Sequence, residues 1–373
     1  METKATLIHI FFESLPDPRV VGRCDHDLLD IVTIALLATI AGADGFSDIE
    51  DFACSREDWL KTFLSLENGI PSDDTFRRVF AALDPKQFES CFQQWAKSLL
   101  DSTEGKLIAI DGKTVRGSYT KRNGPIHLVH AWVKENQLLL GQVATSEKSN
   151  EITAIPELIR LLDIKGATIT IDAMGCQKDI ANQIVTQGGD YILSLKDNHP
   201  TFHHEVHTYF EDMKNEDEIS RFETTDGDHG RIEIRKIYVT KETDWYGECA
   251  KWKGLKSLVL IESERQHGEK ISREKRYYIS SLKESASSML GKIRGHWSVE
   301  NELHWGLDVS FREDASRARE KNVAENLSLL RKMALMMLKK EKTSKRGVAL
   351  KRKRAGWDPP YLAKVLADHL ILF

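Results

Sequence analysis

The sequence predicts an α/β fold: a mixed β-sheet with a β-rich insertion, preceded by a small all-helical domain. Three observations carry this. Apolar residues recur at helical spacing up to about Leu100, short apolar runs take over from Lys106, and strand–helix alternation then stops after Leu195 for a stretch of polar, alternating strands.

The helical part is punctuated clearly. Residues 28–40 are apolar enough for a core helix, and Ser55 can cap a helix carrying Trp59, Phe63 and Leu64. Ser72 caps a helix with Asp73 and Asp74 in its first turn and the stripe Phe76, Val79, Phe80, Leu83. Asp84-Pro85 supplies an N-cap and an N1 proline, with Phe88, Phe92, Trp95 and Leu99 on one face. The expected helical domain covers residues 1–100.

The sheet follows. LIAI (107–110) ends in Asp111, LVHAWV and QLLLGQVAT form a pair, and residues 151–163 read as a helix. ATITI (167–171) ends in Asp172, a helix spans 178–185, and YILSL (191–195) is the next strand. Within about 200–285 the runs RIEIRKIYVT, LKSLVLIES and KRYYISSL make a β-rich insertion, too long for an ordinary crossover loop. Helices resume near Ser287 and run through Leu338, closing a catalytic-domain span of 101–340. Residues 341–373 form a basic C-terminal tail, with Lys351 to Arg354 a continuous cationic run.

Composition narrows the class. The 373 residues carry 29% charged and 41% hydrophobic side chains and a formal charge of −4, so the chain is globular and its global charge does not mark it as a nucleic-acid binder. Five cysteines without a C-x-x-C pair argue against a disulfide scaffold or zinc ribbon, and Cys176 reads as structural. The N-terminus lacks a secretory pattern, and the apolar run at 28–40 is short and contains Asp30. A soluble, cytoplasmic protein without a membrane partner is expected.

Two apolar strands each end in an aspartate, Asp111 and Asp172, at the edge where open α/β sheets place their sites. A strand-end turn aspartate is the plainer reading of either alone. Over 287–304, steps of about 100° place Leu290, Ile293, Trp297, Leu303, His304 and Leu307 on one apolar face with Glu300 in its middle, while Glu302 points about 160° away. A carboxylate facing a core demands a cation: a buried lysine or arginine, or a metal. Two aspartates and a glutamate make an all-oxygen set suited to Mg²⁺ or Mn²⁺, and two such ions can activate a nucleophile at a phosphodiester.

The order strand-Asp111, strand-Asp172, helix-Glu300, with IAIDGKTVRGS, KSNEITAIPELI, ITIDAMGCQ and RGHWSVENELHWGLDVSFRED, resembles the DDE transposases of the insertion-sequence 4 superfamily, nearest the ISAs-type, H-repeat-associated family found with Rhs elements. The likeness covers nearly the whole chain. It implies a ribonuclease-H-like core interrupted by a β-rich insertion, catalytic acids Asp111, Asp172 and Glu300, and two Mg²⁺ (or Mn²⁺) ions held by them. It also implies double-stranded DNA (element ends and target) as partner, a homo-oligomer on paired ends, and a bacterial, nucleoid-associated location. The superfamily's Tyr, Arg and Lys around the glutamate are replaced here by Ile293, His296 and Leu307.

The remaining motifs leave alternatives. GKT at 112–114 lacks the earlier glycine of a P-loop, since Leu107 occupies that place. Lys113 and Arg116 either contact phosphate or belong to a solvated turn. Arg231, Glu233 and Arg235 form an ion-pair ladder or a DNA contact. Arg77, Arg78 and Lys196 complete the candidate DNA-binding set. His296 and His304 flank Glu300 at a zinc-compatible spacing, but no HExxH motif supports zinc. A stand-alone Mg²⁺-dependent nuclease and a catalytically silent DNA-binding remnant are the rival functions.

Overall fold

The computed structural model describes residues 7–20, 22–119, 124–145, 151–214, 216–228 and 230–367. Lys148 to Asn150 of the KSNEITAIPELI motif, His229 and the two chain ends lie outside them.

Six helices open the chain: α1 (Leu7–Phe12), α2 (Leu28–Ala41), α3 (Phe46–Ser55), α4 (Glu57–Leu60), α5 (Asp73–Ala82) and α6 (Pro85–Ser98). Their starts are written locally. Asp27 accepts the Leu29 and Asp30 amides at 2.7 and 3.2 Å, Ser72 the Thr75 amide at 3.3 Å, and Asp84 the Lys86 amide at 2.8 Å. The expectation at Ser55 fails: it closes α3, its hydroxyl donating to the Phe52 carbonyl, and α4 has no side-chain cap and stops after one turn.

Among the described residues the sheet has nine strands, in the order β3-β2-β1-β4-β5-β9-β8-β7-β6. β1 (Leu107–Val115), β2 (Ile126–Val133) and β3 (Leu138–Thr145) form an antiparallel meander. α7 (Glu151–Leu161) leads to β4 (Thr168–Ile171), parallel to β1, and α8 (Lys178–Thr186) leads to β5 (Asp190–Leu195), parallel to β4. This is a ribonuclease-H-like arrangement. After α9 (Pro200–Met213), the antiparallel strands β6 (Ser220–Asp228), β7 (Arg231–Thr240), β8 (Ser257–His267) and β9 (Lys270–Ser280) continue the same sheet through β9 on β5. The β-rich segment is therefore an extension of the catalytic sheet rather than a layer of its own. β6 escaped the sequence because an exposed edge strand needs few apolar residues.

The last third supplies α10 (Ala286–His296), a π-helical turn (Val299–His304), α11 (Trp305–Phe311), α12 (Val323–Lys340), α13 (Val348–Trp357) and α14 (Pro359–Ala367). α12 and α13 pack on α2, so the N-terminal helices, the sheet and the last helices share one core. A second core joins α10 to the extension, through Met289, Leu290 and Ile293 against Ile192, Ile237 and Val259.

The expected basic tail is a folded element. Lys351 donates to the Leu338 carbonyl at 2.9 Å, and Arg352 to the carbonyls of Thr39 at 2.9 Å, Ser310 at 2.8 Å and Ala43 at 2.5 Å. Helix C-termini leave carbonyls unpaired, and these two cations satisfy those of α2, α11 and α12. Lys342, Lys345, Arg346 and Lys353 stay exposed. Among the described residues no single helix is long and apolar enough to cross a membrane.

Because Arg352 is buried and bonded to three carbonyls, Arg352→Ala should lower the unfolding free energy by about 3 kcal/mol in equilibrium urea titrations. Lys353→Ala, one residue on but exposed, should change it by under about 0.5 kcal/mol.

Candidate active site

Parallel pairing sets Ile110 opposite Ile171, which makes Asp111 and Asp172 the next residues on adjacent strands. Asp172 leaves the sheet there and caps a short turn, accepting the Met174 amide at 3.1 Å. Asn198 braces that turn by donating to the carbonyls of Ala173 and Cys176 at 2.7 and 3.3 Å. Asp111 does not end its strand: β1 continues to Val115, pairing with β2. Successive side chains alternate faces, so Lys113 turns to the same face as Asp111.

Glu300 reaches this place from α10. Gly295 allows α10 to lie close on β1, since a Cβ there would strike the Leu107 side chain. After α10 the chain widens into the π turn, with the Trp305 amide bonded to the Glu300 carbonyl. Constant steps of 100° therefore fail across this segment. Trp297, expected in the core, is 46% exposed with the Arg276 guanidinium 5.2 Å from its ring centre. Glu300 is not core-facing either: its side chain is 56% exposed. Glu302 lies apart, accepting from Gln137 at 3.0 Å with Lys339 at 3.7 Å.

Asp111, Asp172 and Glu300 line one cleft of about 300 Å³, with Lys196, Arg276 and Trp297 among its walls. No lysine or arginine is paired with Glu300 among the described residues; its partner is His304, Nδ1 to Oε2 2.8 Å. That bond holds the Glu300 carboxyl below its ordinary range. His304 Nδ1 also lies 3.8 Å from Asp111 Oδ2, and the ligand atoms of Asp111, Glu300 and His304 are within 4.8 Å of one another. Burial pushes Asp111 up to about 6, with His304 opposing the shift and Asp172 adding to it. A half-buried carboxylate unpaired with any lysine or arginine among the described residues, in one cleft with two more acids, is a donor set that a hard divalent cation fits.

The other candidates divide. Lys113 is corrected: it is buried against Asp308 at 2.8 Å, Asp314 at 3.4 Å and Glu313 at 3.8 Å, leaving no face for phosphate. Arg116 is exposed, with Asp314 at 3.6 Å, and Arg78 is exposed beside Asp74 at 2.6 Å. Arg77 is held between Asp74 and Glu320. Arg231 and Arg235 each pair with buried Glu233 at 2.6 Å, and Arg265 from β8 at 2.9 Å completes the ladder. Glu313, His130 and the buried pair His127–Glu151 were not foreseen as neighbours of the site, whereas His304 was expected beside Glu300. A second cleft, lined by Arg77, Arg312, Arg317 and Arg319 between α5 and the segment after α11, was also missed. The run FREDASRAR carried its charge openly in the sequence.

The model described as "Transposase DDE domain" matches residues 102–337, and one described as "DDE_Tnp_1-associated" matches residues 9–96. The chain belongs to the DDE transposase family. "Putative transposase YncI" of Escherichia coli O157:H7 is 45% identical over 96% of this chain and 94% of its own length. "H repeat-associated putative transposase YhhI" of Escherichia coli K12 is 42% identical over 98% of this chain and 99% of its own. DDE transposase domains generally use divalent metal, which agrees with the chemistry of the carboxylate set.

The raised Asp111 carboxyl has a measurable cost. A folded-state pKa of about 6 against the usual 3.8 means the folded protein binds this proton more tightly than the unfolded chain. Stability from this group is full below about pH 4 and lost as pH rises through about 6. Metal-free Asp111→Asn should therefore be more stable than wild type at pH 7.5, by about 1–3 kcal/mol, and equal to it at pH 4 in denaturant titrations. Saturating Mg²⁺ should narrow the gap by stabilising only wild type.

Proposed function

We propose that this transposase cuts and joins DNA at the ends of its own mobile element, with Asp111, Asp172 and Glu300 as the catalytic acids. The single observation that carries the reading is the meeting of these three carboxylates, from residues 61 to 189 apart in sequence, around one cleft with no lysine or arginine among the described residues paired to them. They would hold two Mg²⁺ or Mn²⁺ ions. Bound there, the ions would raise the nucleophilicity of the attacking oxygen and stabilise charge on the leaving one.

The chain's own groups fit a phosphodiester substrate. Lys196 and Arg276 in the cleft wall supply positive charge for a non-bridging phosphate oxygen, and Trp297 offers a flat face to an exposed base. In the first step water attacks phosphorus and the bond to the 3′ oxygen breaks, giving a 3′-hydroxyl and a 5′-phosphate. In the second that hydroxyl attacks a target phosphodiester and releases a new 3′-hydroxyl. Both are displacements at phosphorus, so one carboxylate constellation serves both.

The duplex beyond the cleft is assigned to exposed cations. Arg312, Arg317 and Arg319 follow directly on α11, and Arg116 stands beside them through Asp314. Arg78 and the helical region up to about residue 100 are assigned to the element ends, and the exposed Lys342, Lys345, Arg346 and Lys353 to sequence-independent attraction. Arg231 and Arg235 line a neighbouring cleft that shares Arg276 and Trp297 with the carboxylate cleft, and they are assigned to further DNA contact there. The protein acts as a homo-oligomer on paired ends in the cytoplasm, associated with the nucleoid when bound.

Glu300→Gln should abolish nicking of an end-bearing duplex in Mg²⁺ while leaving duplex binding within about twofold, and Glu302→Gln should change neither. Full nicking by Glu300→Gln removes the assignment. Arg317→Ala with Arg319→Ala should weaken duplex binding and lower the slope of log affinity against log salt by about 1–2. Incubation with a second duplex separates the rival enzyme reading, because a nuclease yields cut ends and no joined product.

A further inference from the structure

Behind Glu300 stand two imidazoles from distant parts of the chain. His304, from the π turn, is 3% exposed and gives Nδ1 to Glu300 at 2.8 Å. His130, on β2 in register with Asp111, is fully buried, and its Nδ1 lies 3.1 Å from His304 Nε2. His130 Nε2 has no hydrogen-bond partner among the described residues.

We propose that His304 is a positioning residue that fixes the Glu300 carboxylate, and that His130 fixes His304 in the tautomer that does so. The inference rests on the reading of Glu300 as an acid of the cation site.

The tautomers follow from where each proton can go. Burial pushes His130 well below the ordinary imidazole range, so it is neutral and carries one proton. A proton on Nε2 would be a buried donor facing no acceptor, the least tolerated way to leave a polar atom unpaired. The proton therefore sits on Nδ1 and is donated to His304 Nε2. His304 Nε2 is then an acceptor, so the proton of His304 sits on Nδ1 and is donated to Glu300 Oε2. Each ring nitrogen is fixed by the bond the other makes.

One consequence is chemical. Asp111, Glu300 and His304 are spaced to share one cation, yet a protonated Nδ1 has no lone pair to give. The opposite tautomer would turn His304 into a metal ligand and leave a buried N–H at His130 unpaired. The imidazole pair therefore keeps the site all-oxygen and suited to hard cations, while a bonded neighbour orients the carboxylate.

The test uses the full-length protein and Mn²⁺ alone, read by electron paramagnetic resonance. Wild-type Mn²⁺ should show no coupling to a directly bound ¹⁴N. His304→Ala should bind Mn²⁺ about tenfold more weakly, whereas His304→Asn, which keeps an N–H near the Nδ1 position, should stay within about threefold of wild type. His130→Phe should fall with His304→Ala, since it removes the donor that sets the tautomer. Circular dichroism of the variants should match wild type, and the Asn variant separates lost positioning from lost packing. A directly bound nitrogen, or equal Mn²⁺ affinity in the Ala and Asn variants, overturns the proposal. Mn²⁺ binding that is unchanged in Glu300→Gln overturns the cation-site reading itself, and the positioning role with it.

Discussion

Parallel pairing of β1 with β4 is the constraint on which the site depends. With Ile110 opposite Ile171, the following aspartates emerge on strands about 4.8 Å apart at one edge of the sheet. Carboxylates on neighbouring strands repel each other when one of them is largely buried, and Asp172 adds to the upward push on Asp111. The chain pairs neither Asp111 nor Glu300 with a lysine or arginine among the described residues, although it buries several such cations elsewhere. Such a set of acids suits a hard divalent cation.

The cations that are buried serve the frame. Lys113 on β1 faces Glu313, whose Oε1 accepts from Ser328 at 2.6 Å, and Ser328 accepts from Lys332 at 2.6 Å. This chain of charges ties the catalytic strand to α12 just past Asp111. Lys351 and Arg352 close helix C-termini in the same economical way. Breaking one partner of a buried pair costs far more than removing an exposed charge, so these residues stiffen the platform, and DNA contact is proposed for the exposed arginines instead. The sheet extension has a comparable task, because its inner face and α10 form the core from which Glu300 is delivered.

Much of this was legible in the sequence, for identifiable reasons. Asp111 and Asp172 stand out because an acid after the strand runs LIAI and ATITI contrasts with its strand, and helix starts at Ser72 and Asp84 obey local capping rules. Glu300 was legible as an acid on a helix facing the sheet, but helical arithmetic put it in the core, where a π turn brings it instead to the open cleft. Lys113 was misread because β1 runs on past Asp111 to Val115 and turns it inward. His130 lies 174 residues from His304, and no local pattern joins such a pair. The basic run at Lys351 to Arg354 reads as a tail only while the carbonyls it meets, on α2 and α11, are unknown.

The central claim is that three carboxylates from two strands and one π turn form the seat of the catalytic ions. The most direct measurement is anomalous scattering from Mn²⁺ in crystals of the full chain bound to a duplex carrying the element's terminal repeat. Two peaks are expected in the cleft, between Asp111, Asp172 and Glu300, with oxygen ligands only. Peaks confined to other acidic surfaces, or a cleft where Asp172 or Glu300 contributes no oxygen to any ion, would contradict the account.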